Sequence, residues 1–141
     1  MERKATAVWQ GGLKDGKGTL TTESKVLSNT PYSFSTRFES SPGTNPEELL
    51  GAAHAGCFAM ALSLQLGEAG IKPERIETRA TITLEKLDSG FTITHSHLDV
   101  TVKASGADRA KFDAAAEKAK AGCPLSKVLR AEISMNARLE G

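Results

Sequence analysis

Aromatic side chains are scarce: five Phe, one Tyr and one Trp amount to 5% of the chain. The core therefore has to be built from Ala, Val, Ile and Leu. A surplus of one charge is lacking as well, with 18 Lys and Arg against 17 Asp and Glu, interspersed along the chain. That balance leaves no basic stripe for a nucleic-acid partner and no acidic tail. The opening segment, residues 1–12, lacks the long apolar stretch of a signal peptide. No unbroken apolar run reaches the ~18 residues of a membrane span, so no membrane partner is expected and a cytoplasmic address follows. Cysteine is limited to Cys57 and Cys123. In a reducing compartment such a pair is reactive, metal-binding or inert rather than a permanent staple. Two cysteines and three scattered histidines do not make a four-ligand zinc site at tight spacings, so no metal is expected.

What is present suits one soluble domain, residues 1–141, with 39% apolar and 25% charged residues. Lys4–Gln10 and Gly18–Thr22 read as strands around a glycine-rich turn, and the alternation of Tyr32–Phe38 predicts a third. The clearest helix start is Thr44-Asn45-Pro46-Glu47-Glu48. Asn45 suits the N-cap, Pro46 the first turn, and Glu48 the third position of a capping box. From Leu49 to Leu66 the chain is apolar on nearly every face, which predicts a helix buried all round. Ile76–Lys86 and Phe91–Lys103 form a hairpin across Asp88-Ser89-Gly90, and the second strand changes phase near His95–His97, where a bulge is expected. Ala107–Ala121 reads as a helix stopped by Gly122, Cys123-Pro124 opens a short one to about Leu129, and Glu132–Leu139 is a last strand. The order βββ-α-ββ-αα-β is α+β with antiparallel strands. One small sheet cannot bury so apolar a helix, and a second copy of the chain can, so a homodimer is inferred.

The two cysteines differ in setting. Cys57 lies midway along the apolar helix, where a free cysteine is ordinarily buried and inert. Cys123 lies at a helix N-cap, where unpaired N–H groups and the positive dipole end favour a thiolate; the alternative is an incidental exposed cysteine. As a pair they suit a cycle in which one thiolate is oxidised to a sulfenic acid and the other thiol captures it as a disulfide. That cycle requires the two sulfurs to meet, which spacing alone does not establish. His54, three residues before Cys57, reads as a core or interface histidine rather than a base. His95 and His97 share a strand face with no third ligand. Trp9 and Phe58 read as apolar walls at a substrate entrance.

The segment Gly43-Thr44-Asn45-Pro46-Glu47-Glu48-Leu49-Leu50-Gly51-Ala52-Ala53-His54-Ala55-Gly56-Cys57-Phe58 closely resembles the OsmC/Ohr family of organic hydroperoxide reductases. Lys118-Ala119-Lys120-Ala121-Gly122-Cys123-Pro124-Leu125-Ser126 resembles that family's resolving-cysteine motif, and the likeness extends to Trp9-Gln10-Gly11-Gly12 and Thr36-Arg37-Phe38-Glu39. The resemblance implies a swapped homodimer with antiparallel sheets packed around long central apolar helices and active sites at the subunit interface. It implies that Cys57 is peroxidatic and Cys123 resolving, that organic hydroperoxides are the substrates, that a dithiol, lipoyl in the related Ohr branch, is the reductant, and that no cofactor takes part. Glu47 matches the family's active-site glutamate, and Arg37 is its partner, an arginine placed as in the OsmC branch. Without the family, Glu47 is a helix-start charge and Arg37 a solvated strand residue. A non-enzymatic stress protein that binds an apolar ligand at the dimer interface is the alternative function.

Overall fold

The computed structural model describes residues 1–141, which gather into two compact units, Met1–Leu49 and Leu50–Gly141. The first unit opens with an antiparallel meander in the order β1 (Ala5–Gln10), β2 (Lys17–Thr22), β3 (Thr30–Tyr32). Gly18 on the middle strand pairs with both Trp9 and Tyr32. A Cβ at Gly18 would lie 2.5 Å from each of those rings, so the missing side chain lets them close over the strand at 5.4 Å between centroids.

The predicted third strand, Tyr32–Phe38, is for the most part a short helix instead: β3 stops at Tyr32, and α1 spans Phe34–Phe38. Local capping overrides the alternation. Ser33 Oγ accepts from the Thr36 N–H, and Thr36 Oγ1 accepts from the Ser33 N–H, a complete capping box. The turn then puts Phe34 and Phe38 on one face, 4.9 Å apart. Asn45 Nδ2 donates to the Thr36 carbonyl at 3.0 Å, and Asn45 Oδ1 accepts from the Glu48 N–H at 2.8 Å. That single side chain ties α1 to the start of α2 (Pro46–Glu68). The N-cap is the predicted one, but the Glu48 carboxylate accepts from the Thr44 hydroxyl at 2.7 Å rather than closing the box.

In the second unit α2 buries a stripe of Gly51, His54, Phe58, Leu62 and Leu66, at helical spacing. Leu98, Val100 and Val102 of β5 (Gly90–Lys103) and Phe112, Ala115, Ala116 and Ala119 of α3 (Arg109–Gly122) complete the core. Each large apolar side chain so buried contributes about 1.5–3 kcal/mol. Phe58 belongs to this core and is fully buried, not a wall at an entrance as predicted. β4 (Arg75–Leu87) pairs antiparallel with β5, and the register slips so that Thr94 has no partner, beside His95 where the phase change placed the bulge.

The last strand, β6 (Glu132–Glu140), pairs with β5 in parallel, not antiparallel as predicted. α3 and the short α4 (Pro124–Val128) lie between β5 and β6 and return the chain to its starting end, which is the crossover a parallel pair requires. The α2 helix also departs from expectation. It is not buried all round, because Met60 is 78% and Leu64 60% exposed. A helix has more faces than one small sheet and one helix can cover. By length and mean hydropathy, 1.5 over its most apolar window, α2 is also capable of spanning a membrane, which counting unbroken runs had excluded. Its fully buried, hydrogen-bonded His54 and its packing on β5 are those of a core helix.

Candidate active site

Cys57 follows His54 by one turn on α2 and is half-buried, while Cys123 is fully buried. This reverses the expected order of burial. Cys123 is at once the C-cap of α3 and the N-cap of α4, the one non-helical residue between them. Its N–H donates to the Ala119 carbonyl and its carbonyl accepts from the Lys127 N–H, so the backbone on both sides is fixed. Neither cysteine is in a disulfide; the Cys123 thiol donates to the Cys57 sulfur, with 2.9 Å between the sulfurs. The structure therefore supplies the meeting of sulfurs that spacing left open.

The Cys57 thiol is pushed above its ordinary pKa, first by burial and then by the hydrogen bond and charge of Cys123. The Leu125 backbone N–H, at the start of α4, bonds the Cys57 sulfur and pulls the other way. Burial wins, so the resting Cys57 is a thiol at neutral pH. A thiolate there at neutral pH would need a group beyond this pair.

His54 is not that group. Its Nδ1 meets Ser96 Oγ at 2.7 Å and its Nε2 meets Ser126 Oγ at 2.9 Å, so both ring nitrogens are engaged. Burial holds the imidazole below its usual pKa, and it stays neutral at neutral pH. The reading of His54 as a core histidine agrees with this geometry. The serines that satisfy it were missed by sequence reasoning. Ser126 stands three residues past Cys123, but nothing in that spacing announces an imidazole 72 residues away.

In the first unit Arg37 on α1 and Glu47 in the first turn of α2 form a forked ion pair. Arg37 Nε donates to Glu47 Oε1 and Oε2 at 3.1 and 3.2 Å, and Nη2 donates to Oε1 at 2.7 Å. Glu47 is 11% and Arg37 36% exposed, so the carboxylate is the inner member and the guanidinium the outer. The guanidinium also lies over the Phe38 ring, 5.2 Å from its centroid. Nη1 lies outside the fork. Arg37 is a helical residue, not the strand residue predicted, and the turn of α1 is what aims it. A hollow of about 240 Å³ beside it is lined by Trp9, Leu13, Tyr32, Phe34, Arg37 and Phe38, so Trp9 is an apolar wall there. The four predicted site residues are thus brought together as two pairs, Cys57 with Cys123 and Arg37 with Glu47.

The other histidines do something different. His95 Nε2 and His97 Nδ1 converge on the Ser134 hydroxyl at 2.7 and 2.5 Å, and no group of three or more His, Cys, Asp or Glu side chains gathers anywhere as a metal site.

Comparison with known proteins gives a consistent picture. The profile of the OsmC-like protein family matches residues 38–138. Peroxiredoxin OsmC of Escherichia coli (strain K12) is 54% identical over 140 residues, covering 99% of this chain and 98% of that protein. The organic hydroperoxide resistance protein OhrB of Bacillus subtilis (strain 168) is 29% identical over 124 residues, 87% of this chain and 89% of its own. The OhrB crystal structure superposes with a TM-score of 0.68 at 27% identity, over 97% of this chain and 98% of that one. An OsmC-like protein from Mycoplasma pneumoniae shares the fold at a TM-score of 0.77 and 15% identity, over 100% and 99% of the two chains.

Proposed function

The chain belongs to the OsmC-like protein family, and from that premise we propose that it is a two-cysteine peroxidase that reduces organic hydroperoxides to alcohols. The observation that carries the reading is the 2.9 Å contact between two free thiols from distant parts of the sequence. Cys57, as the thiolate, attacks the terminal oxygen of the hydroperoxide; the O–O bond breaks, the sulfur becomes a sulfenic acid, and the alkoxide leaves and takes up a proton as alcohol. The Cys123 thiol then attacks the Cys57 sulfur, the S–S bond forms, and the sulfenic oxygen departs as water. A dithiol reductant, of the lipoyl kind, returns both cysteines to thiols and leaves as its own disulfide.

Cys57 rests as a neutral thiol, so the thiolate needs an added positive charge, and Arg37 is the residue proposed to supply it. A guanidinium also donates hydrogen bonds to a peroxide and to a departing alkoxide. Glu47 fixes the guanidinium through its Nε and Nη2 and leaves Nη1 for the substrate. The aromatic hollow beside Arg37 suits an apolar organic group rather than hydrogen peroxide itself. The exposed apolar face of α2, with Met60 and Leu64, supports a homodimer in which a second copy covers that face. Residues 1–141 act as one domain, in the cytoplasm, where thiol reductants are at hand.

Mixing the reduced protein with one equivalent of cumene hydroperoxide tests the reading. Loss of one peroxide and two thiols per chain is the expected result. Binding of the hydroperoxide without loss of thiols would favour the ligand-binding alternative, to which the same hollow is suited. Sedimentation at micromolar concentration is expected to show a dimer, and Met60→Glu to weaken it; a folded, active monomer would refute the dimer.

A further inference from the structure

α4 is five residues long and buries no side chain, so it has little stability of its own. Yet its N-terminal end carries both groups that meet the Cys57 sulfur, the Cys123 thiol and the Leu125 N–H. Its side-chain hydrogen bond to the rest of the unit is made by Ser126, whose hydroxyl meets His54 Nε2 at 2.9 Å. His54 is one turn before Cys57 on α2, and Ser126 three residues past Cys123, so the imidazole–hydroxyl contact runs beside the sulfur contact. His54 is anchored in turn, because Nδ1 meets Ser96 of β5 at 2.7 Å and both residues are fully buried. A neutral imidazole has one donor and one acceptor, which two hydroxyls satisfy.

We infer that the His54–Ser126 hydrogen bond, backed by Ser96, is a tether that keeps the resolving helix against the Cys57 helix and sets the rate at which Cys123 captures oxidised Cys57. This rests on the two-cysteine reading proposed above. In-line displacement sets the sulfenic oxygen on the side of the Cys57 sulfur opposite Cys123, so capture needs Cys123 to stay at the 2.9 Å approach that the thiols already have. The tether, one turn away, is untouched by the change at the Cys57 sulfur. It keeps Cys123 at high local concentration beside the sulfenic sulfur. Attack on peroxide needs Cys57 and not the tether. Both His54 and Ser126 are positioning residues, since neither touches the reacting atoms.

The test is a single-turnover comparison of full-length wild type, Ser126→Ala and Ser126→Thr, following peroxide loss and, by quenched mass spectrometry, disulfide closure. Ser126→Ala is expected to consume peroxide within about two-fold of wild type but to close the disulfide about five- to ten-fold more slowly, the scale of one hydrogen bond. Ser126→Thr, which keeps the hydroxyl, is expected to restore closure. In the reduced protein, the Lys127 and Leu129 amides, which bond within α4, are expected to exchange faster in Ser126→Ala. Closure at the wild-type rate in Ser126→Ala would overturn the tether, as would equal slowing of both steps without rescue by threonine. A wild type that forms no Cys57–Cys123 disulfide would bring down the two-cysteine reading and the rate claim with it. Unchanged exchange at Lys127 and Leu129 would overturn the tether by itself.

Discussion

Cys57 and Cys123 are 66 residues apart in sequence and meet through the core of residues 50–141, whereas Arg37 and Glu47 are ten apart and meet across one loop. The sulfur pair belongs to a core cluster that includes the fully buried Phe58, Phe112 and Ala119. The ion pair is held by local devices, the Ser33–Thr36 capping box and the Asn45 bridge. One pair is positioned by tertiary packing and the other by turn chemistry. The difference has a chemical side. Packing that fixes the sulfurs also desolvates Cys57 and suppresses its thiolate, while the Arg37 guanidinium, paired with Glu47, remains 36% exposed. On the proposed function, redox chemistry falls to the sulfur pair and activation to the ion pair.

The strongest way to break that division is Cys57→Ser, which is expected to abolish peroxide consumption because a serine hydroxyl is essentially un-ionised at neutral pH. Persistent consumption would move the chemistry elsewhere. Arg37→Ala is expected to slow the first turnover by about 10²-fold, the scale of losing a transition-state donor. Its deficit should shrink in alkaline solution above the ordinary thiol range, where Cys57 begins to ionise without help; a deficit that is absent, or the same at all pH values, would remove activation from Arg37. Glu47→Ala is expected to cost less, on the order of ten-fold, since the charge stays but its aim is lost. An effect equal to that of Arg37→Ala would make the pair inseparable.

The smallest expected effect separates the two regions by stability. His54 is held below its ordinary pKa of 6.5 in the folded chain. As pH falls below about 6.5 the unfolded chain takes up a proton that the folded one refuses, so stability declines with acid, by at most about 1.4 kcal/mol per pH unit from this group. Denaturant midpoints measured between pH 7 and 5 are expected to fall less steeply in His54→Gln than in wild type. Parallel curves would mean that the buried imidazole does not titrate as described.

The same contrast governs what was legible in the sequence. Asn45, Pro46 and Gly122 marked helix boundaries correctly because caps act within one turn. The phase change at His95 revealed the bulge because alternation is local too. The alternation of Tyr32–Phe38 misled, since a capping box of two small hydroxyl residues outweighed it. The parallel pairing of β6 depended on where the α3–α4 crossover returned the chain, which no local pattern encodes. At the candidate site, the motifs pointed to Cys57, Cys123, Arg37 and Glu47, which the fold gathers as two pairs; the dipole argument singled out Cys123, whose side chain makes no cap hydrogen bond. What could not be read was which sulfur is deeper and which way burial moves Cys57, because both follow from packing over 66 residues. The serines around His54 escaped for the same reason.

The measurement that bears most directly on the division of labour is a single peroxide turnover in Cys123→Ser, followed by dimedone trapping and mass spectrometry. The account predicts consumption of one equivalent at close to the wild-type rate, a dimedone adduct on Cys57, and, with excess peroxide, progression to the sulfinic acid. The wild type treated identically should show a Cys57–Cys123 disulfide and little adduct. A Cys123→Ser protein that consumes no peroxide, alongside a Cys57→Ser protein that does, would contradict it.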